Sequence, residues 1–176
     1  MKLKSILPLL LLGACTGVPD GVTPITGFDS ARYLGTWYEI SRLDHRFERG
    51  LDNVTATYSA RDDGKLDVLN RGLNRETCEW DEAKGVARFL GARDVGSLGV
   101  TFQWPFEGGY HILALDKENY AWALVSGPDR GYLWVLSRTP TLPADTLDML
   151  KEMARNLDYP VDELITVKQN TPPCPT

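Results

Sequence analysis

Three cysteines and two histidines are the side chains of this 176-residue chain best suited to covalent, redox or metal chemistry. His45 and His111 are far apart and belong to no H-E-x-x-H pattern, and no C-x-x-C pair, Walker loop or nucleophile elbow accompanies them. A nucleophilic or metal-bound cysteine needs a base or further ligands at characteristic spacing, and Cys15, Cys78 and Cys174 have no such neighbours in sequence. The pattern predicts a protein that is not an enzyme and holds no metal or cofactor. Acylation or mutual pairing is what these thiols can do, and both depend on the compartment.

The compartment is indicated by residues 1–15, MKLKSILPLLLLGAC, where Lys2 and Lys4 precede an apolar run and then small residues. That is the layout of a secretion signal. The run is too short to cross a ~30 Å hydrocarbon core, which takes about 20 helical residues. Leu12-Gly13-Ala14-Cys15 resembles the bacterial lipobox. The resemblance implies cleavage after Ala14 and a Cys15 carrying three acyl chains, palmitate among them, which anchor far more firmly than one chain at about 0.8 kcal/mol per buried methylene. Thr16 after the cysteine implies sorting to the outer membrane, facing the periplasm. Residues 1–14 are therefore expected to be a signal peptide. Residues 15–27 form a lipidated tether whose Gly, Pro and Thr content suits flexibility.

An exported chain meets an oxidising compartment, in which the remaining thiols are expected to pair as Cys78–Cys174. The link would pin the Pro-rich tail, residues 171–176, to the body and contribute about 4 kcal/mol in the chain-entropy view. Two free thiols are the alternative.

A formal net charge of −5, with acidic and basic residues interspersed, argues against a nucleic-acid partner. Loss of Lys2 and Lys4 makes the mature chain more acidic still, so surface charge does not explain membrane attachment. With 43% hydrophobic residues the chain can bury one substantial core.

The elements that must position everything else are short, alternating and rich in β-branched and aromatic residues. Strands are expected at about 35–43, 52–60, 65–74, 85–93, 97–104, 109–115, 120–126 and 131–138. Asp62-Asp63-Gly64, Glu107-Gly108-Gly109 and Gly127–Gly131 supply turns between them. Eight antiparallel strands joined by hairpins can close into an up-and-down barrel, which removes both edges and leaves room for one small ligand. An immunoglobulin-like sandwich competes, but needs longer crossovers. After the strands, Leu147, Leu150, Met153 or Ala154, and Leu157 fall at helical spacing, predicting one amphipathic helix packed on the barrel and ended by Asp158-Tyr159-Pro160. A last short strand is expected near Leu164–Lys168.

Gly35-Thr36-Trp37-Tyr38 resembles the G-x-W signature of the lipocalins, Gly127-Pro128-Asp129 their second conserved region, and Arg138 their third. The stretches GTWYEI, NVTATYS, LNRGLN, PFEGGYHILALD and GPDRGYLWVLSRTP are similar to those of the bacterial outer-membrane lipocalins and, more distantly, apolipoprotein D. The likeness covers residues 28–170, the expected barrel domain. It implies storage or transport of a hydrophobic or amphiphilic lipid, a fatty acid or lysophospholipid, and leaves a homodimer conceivable. The alternative is a structural or interaction lipoprotein with a solid barrel.

Gly35, Trp37 and Arg138 are expected to serve structure, because a Trp starting one strand and an Arg ending its neighbour can stack and plug one end of a barrel. Tyr58, Phe89, Phe102, Tyr110, Tyr132, Trp134 and Leu136 are the candidate ligand-lining residues, an apolar set with hydroxyls for a polar head. Glu39 and Ser41 share parity with Trp37, so an interior carboxylate is expected, answered by Arg71 or Arg88. The loop DHRFERG, Asp44–Gly50, is read chiefly as exposed charge at the open end, with a lipid headgroup as the sharper alternative.

Overall fold

The computed structural model describes residues 16–172; the leader, Cys15 and Cys174 lie outside the described residues. Nine strands follow a short helix, α1 (Ser30–Tyr33): β1 (Gly35–Leu43), β2 (Leu51–Ala60), β3 (Leu66–Asn74), β4 (Trp80–Phe89), β5 (Ser97–Gln103), β6 (Phe106–Leu115), β7 (Trp122–Ser126), β8 (Leu133–Ser137) and, after helix α2 (Ala144–Arg155), β9 (Leu164–Thr166). From β1 to β8 each strand pairs antiparallel with the next, and β8 pairs back with β1, so eight strands close into a barrel. β9 lies outside the closed eight, on the upper part of β1.

Alternation explains the closure. Val125 faces Trp134 and Ala123 faces Leu136 across β7 and β8, and all four belong to the inner cluster, whereas Leu124, Leu133 and Val135 point outward. Those outward residues and Ile40 of β1 are covered by α2, whose Leu150 and Ala154 are fully buried. Met153 stays exposed, so Ala154 is the residue that completes the stripe. Tyr159, just beyond α2, donates a 2.6 Å hydrogen bond to Ser126 Oγ and fixes the helix against the wall.

Two local expectations change. Glu107-Gly108-Gly109 is strand rather than turn, and the β5–β6 chain reverses at Trp104-Pro105. Gly109 is needed for room: a Cβ there would sit 2.6 Å from His111 Nε2 and 3.3 Å from the Thr16 backbone. The N-terminal segment, expected to be a flexible tether, is packed along the barrel instead. His111 Nε2 is hydrogen-bonded to Gly17 O at 2.9 Å, Ile25 N donates to Ile112 O, and Gly96 N donates to Ile25 O. Val22 and Phe28, apolar islands among its polar residues, are buried and hold it down.

α1 has no counterpart in the strand pattern. Asp29 caps it, its carboxylate accepting from Ala31 N at 2.9 Å, and it turns Tyr33 beneath the barrel.

Candidate ligand-binding site

The barrel has a filled end and an open end, and β1 runs from one to the other. At the filled end Trp37 is fully buried and the Arg138 guanidinium lies 3.9 Å above its indole. Arg138 also donates to Thr36 O, Arg32 O and Tyr120 O, so one side chain ties β1, α1 and the β6–β7 turn together. Gly35 is at φ 93°, with the Arg138 Nη1 only 3.4 Å from where a Cβ would be; glycine alone takes both that dihedral and that approach without strain. Tyr33, Trp37, Tyr58 and Phe28 pack ring against ring, and the Tyr33 hydroxyl meets that of Tyr110 at 2.7 Å. Burial pushes the Tyr33, Tyr58 and Tyr110 hydroxyls well above the ordinary tyrosine range, so all three are neutral hydrogen-bonding groups.

Farther up, β1 carries a bulge. Glu39 pairs with Leu136 but Arg42 pairs with Trp134, the register slipping between Glu39 and Ser41. In a regular strand Arg42 would point away from Glu39; the extra residue turns both inward. Arg42 Nη1 donates to Glu39 Oε1 at 2.7 Å, with side chains only 2% and 4% exposed. Neither cation expected to answer Glu39 does so. Arg71 reaches Glu82 and lies over Trp80, and Arg88 is bidentate to Glu107, both on the outer wall because their parity is opposite to that of Asn70 and Ala87.

Residues 44–50 fold over the mouth. His45 is buried against the rings of Tyr132 and Trp134, 5.5 and 5.3 Å away. Its Nε2 lies 3.0 Å from Glu48 Oε2, the atom that also accepts from Trp134 Nε1 at 3.0 Å. Arg42 Nη2 donates to Glu48 O. The expected solvated charge is thus half true: Asp44, Arg46 and Arg49 are exposed, while His45 and Glu48 line the opening. Burial raises the Glu39 carboxyl well above the usual range, and the Glu48 charge adds to that against the pull of Arg42. Burial would raise Glu48 as well, but the contacts from His45 and Trp134 outweigh it and hold Glu48 below its ordinary value. Four buried polar atoms here have no hydrogen-bond partner among the described residues: Arg42 Nε, Asn70 Oδ1 and both ring nitrogens of His45, whose Nε2 approaches Glu48 without hydrogen-bond alignment.

Between floor and mouth the inward positions of β2 to β6 are small. Ala56 pairs with Asn70, Asn70 with Ala83, Val68 with Gly85, and Val100 with Gly108, all on the inner face. Ala83 is exposed, and Ala56, Gly85, Val100, Gly108 and Tyr110 are only partly buried although they point into the barrel. Of the candidate lining residues, Tyr58 and Leu136 are buried in the floor cluster, Tyr110 stands just above it, and Phe89 is partly buried on the β4 wall. Trp134 and Tyr132 stack at the mouth with centroids 6.0 Å apart. Phe102 lies over Gly85, where a Cβ would be 2.8 Å from its ring, and is 45% exposed near the rim. Parity alone missed Arg42, His45 and Asn70, as well as Tyr33; only the Asp29 cap hinted at the turn that places Tyr33.

A serine and a histidine do meet, Ser97 Oγ and His111 Nδ1 at 3.0 Å, but on the outer wall, buried under the N-terminal segment with the other ring nitrogen taken by Gly17 O. That arrangement clamps the segment and offers no reachable nucleophile. The inner geometry suits binding: small-residue walls above a packed aromatic floor, and a few buried polar atoms at the opening.

A closed eight-stranded antiparallel barrel with a plugged floor and one helix on its outer wall defines a calyx-like β-barrel. The chain belongs to the lipocalin family: a lipocalin-like domain matches residues 28–169. It is 49% identical over 164 residues to outer membrane lipoprotein Blc of Vibrio cholerae, covering 93% of this chain and 96% of that one. It is 51% identical over 161 residues to outer membrane lipoprotein Blc of Escherichia coli strain K12, covering 90% of each. Apolipoprotein D of Macaca fascicularis is 32% identical over 168 residues, covering 92% of this chain and 86% of that one. Among solved structures, insecticyanin from Manduca sexta superposes with a TM-score of 0.70 over 90% of each chain at 19% identity, a likeness of fold.

Proposed function

We propose that the barrel stores or transports one single-chain amphiphilic lipid, a fatty acid or lysophospholipid. Its tail runs between the small-residue walls and its head lies among Arg42, His45 and Asn70. The observation that carries the reading is the exposure of inward-facing Ala83 and the partial exposure of inward-facing Val100 and Tyr110 in a barrel whose floor is packed. A solid barrel would bury them. The unpartnered Arg42 Nε, a donor that a carboxylate or phosphate would satisfy, and Asn70 Oδ1, an acceptor that a headgroup hydroxyl would satisfy, support it, since buried polar atoms without partners are costly.

The chain acts on this reading at the outer membrane, facing the periplasm and held there by acyl groups on Cys15, as the names of its relatives suggest. A Cys78–Cys174 disulfide fits the same compartment. The described tail is led back to the β3–β4 corner, which carries Cys78, by Asn53 with Thr171 and by Arg75 Nη1 donating to Pro172 O.

Titrating delipidated protein with a fluorescent fatty acid tests the proposal. One-to-one saturable binding is expected, and Ala83→Trp, which fills the well from an exposed inward position, should weaken it at least tenfold while the far-ultraviolet spectrum stays unchanged. Binding unaffected by Ala83→Trp would place the ligand elsewhere. The mass of the mature chain, read before reduction, checks the acyl groups and the disulfide together.

A further inference from the structure

The exposed aromatic side chains are gathered at one end of the molecule. Phe47, Trp80, Phe102, Trp104 and Phe106 are 65, 45, 45, 86 and 65% exposed, and together they are the exposed large aromatics among the described residues. Phe47 lies in the β1–β2 loop, Trp80 opens β4, Phe102 is near the end of β5, and Trp104 and Phe106 flank the β5–β6 reversal. Every one of these positions belongs to the mouth. Five exposed aromatics around one end of a barrel are uncommon on a freely soluble surface, and apolar surface exposed in this way marks a contact site. Two of its members carry stacked guanidinium groups, Arg71 4.0 Å from the Trp80 ring centre and Arg46 4.9 Å from that of Phe47. Acidic residues stand nearby in similar number, so the rim has little net charge and its attraction is hydrophobic.

The start of the described chain leads to the same rim. Gly17 is bound to His111 and Thr16 packs on Gly109, both on the outer face of β6, so the chain traced backwards climbs toward Phe106. Cys15 precedes Thr16 by one peptide unit, a Cα spacing of about 3.8 Å. Gly109 lies three residues below Phe106, about 10 Å at the rise of a strand. Because Gly17, Asp20, Val22, Ile25 and Phe28 are all held against the barrel, no slack chain separates the anchor from the folded body.

We propose that the mouth of the barrel faces the bilayer that holds the anchor, with Trp104 and Phe106 immersed in its phospholipid interface. The inference rests on the reading of Cys15 as the acylated residue. Aromatic rings prefer that interface, and arginine can extend from it to the headgroups. A lipid could then pass between bilayer and barrel without crossing water.

The test uses the mature acylated chain in vesicles of phosphatidylethanolamine and phosphatidylcholine, and takes the emission of Trp104 as the difference between the protein and its Trp104→Phe variant. The result expected is at least threefold protection of that component from aqueous acrylamide, together with quenching by phosphatidylcholine brominated in the upper acyl chain. A reporter at the floor, Glu118→Trp in the exposed β6–β7 turn, should stay open to acrylamide and unaffected by the brominated lipid. Trp104 emission open to acrylamide would overturn the proposal, as would quenching of the Glu118→Trp reporter by the lipid. Protection without lipid quenching would mean that a second copy covers the rim, and would overturn it equally. A chain that fails to float with the vesicles removes the anchor instead, a failure distinct from loss of fatty-acid binding in solution.

Discussion

The two ends of the barrel use similar residues for opposite purposes. At the floor, Trp37 is fully buried, its indole N–H is given to Tyr33 O, and the arginine stacked upon it has carbonyl partners. At the mouth, Trp134 is only partly buried, its N–H goes to a loop carboxylate, and the nearby arginine keeps one nitrogen unpartnered. A tryptophan and an arginine make a plug when every polar group is satisfied by the backbone. Left partly satisfied, they make a place for something else. Polar saturation, more than residue type, separates scaffold from site in this molecule.

The sharpest way to break that contrast is to delete both indoles. Trp37→Ala should cost about 3–5 kcal/mol, because the ring is enclosed on all sides and nothing nearby can collapse into the space. Trp134→Ala should cost about 1–2 kcal/mol and show itself chiefly as weaker fatty-acid binding. Urea denaturation of the two variants checks this, and equal losses would erase the distinction between floor and mouth.

Next in size is Arg138→Ala, expected to lose about 2 kcal/mol, or roughly 4–8 °C in melting temperature for a chain of this length. The loss combines hydrogen bonds to charged donors with the stacking on Trp37. Arg138→Lys should recover little of it, since an ammonium cannot span the same carbonyls while lying flat on the ring. Unchanged melting would mean that the floor is held by its aromatic cluster alone.

Alternation carried much of the fold in the sequence. Leu98, Val100 and Phe102 on β5, and Trp134 and Leu136 on β8, declare their faces by period two, and the pairing of Trp37 with Arg138 follows from one beginning and one ending adjacent strands. Parity also found the interior carboxylate Glu39. It could not find the answering cation, because the extra residue between Glu39 and Ser41 reverses the side of Arg42, and a bulge leaves no mark in hydrophobic periodicity. The N-terminal segment was misread for a related reason. Val22, Ile25 and Phe28 are too sparse among Gly, Pro and Thr to show a period, yet Val22 and Phe28 are buried on the wall and Ile25 packs partly buried against it. The burial of His45 likewise depends on Tyr132 and Trp134, which are distant in sequence.

The smallest effect expected is the one that sharpens the contrast by pH. Glu48 is the carboxylate joining the mouth loop to Trp134 and His45, and it is held below its ordinary value. A depressed carboxyl binds fewer protons in the folded than in the unfolded chain. Its contribution is therefore complete above the ordinary glutamate value of about 4.3 and is lost as pH falls through the folded value. Glu39 has the opposite sign, since burial raises it and its cost appears as pH rises from the ordinary value toward the folded one. The difference between the protein and Glu48→Gln isolates the first from the second. Glu48→Gln should cost about 1 kcal/mol at neutral pH, with the gap to the parent protein closing below about pH 4. Denaturant midpoints across pH 3 to 7 read it directly. A gap independent of pH would assign the effect of Glu48 to shape alone, and the charge at the mouth would then have no part in holding the loop over the opening.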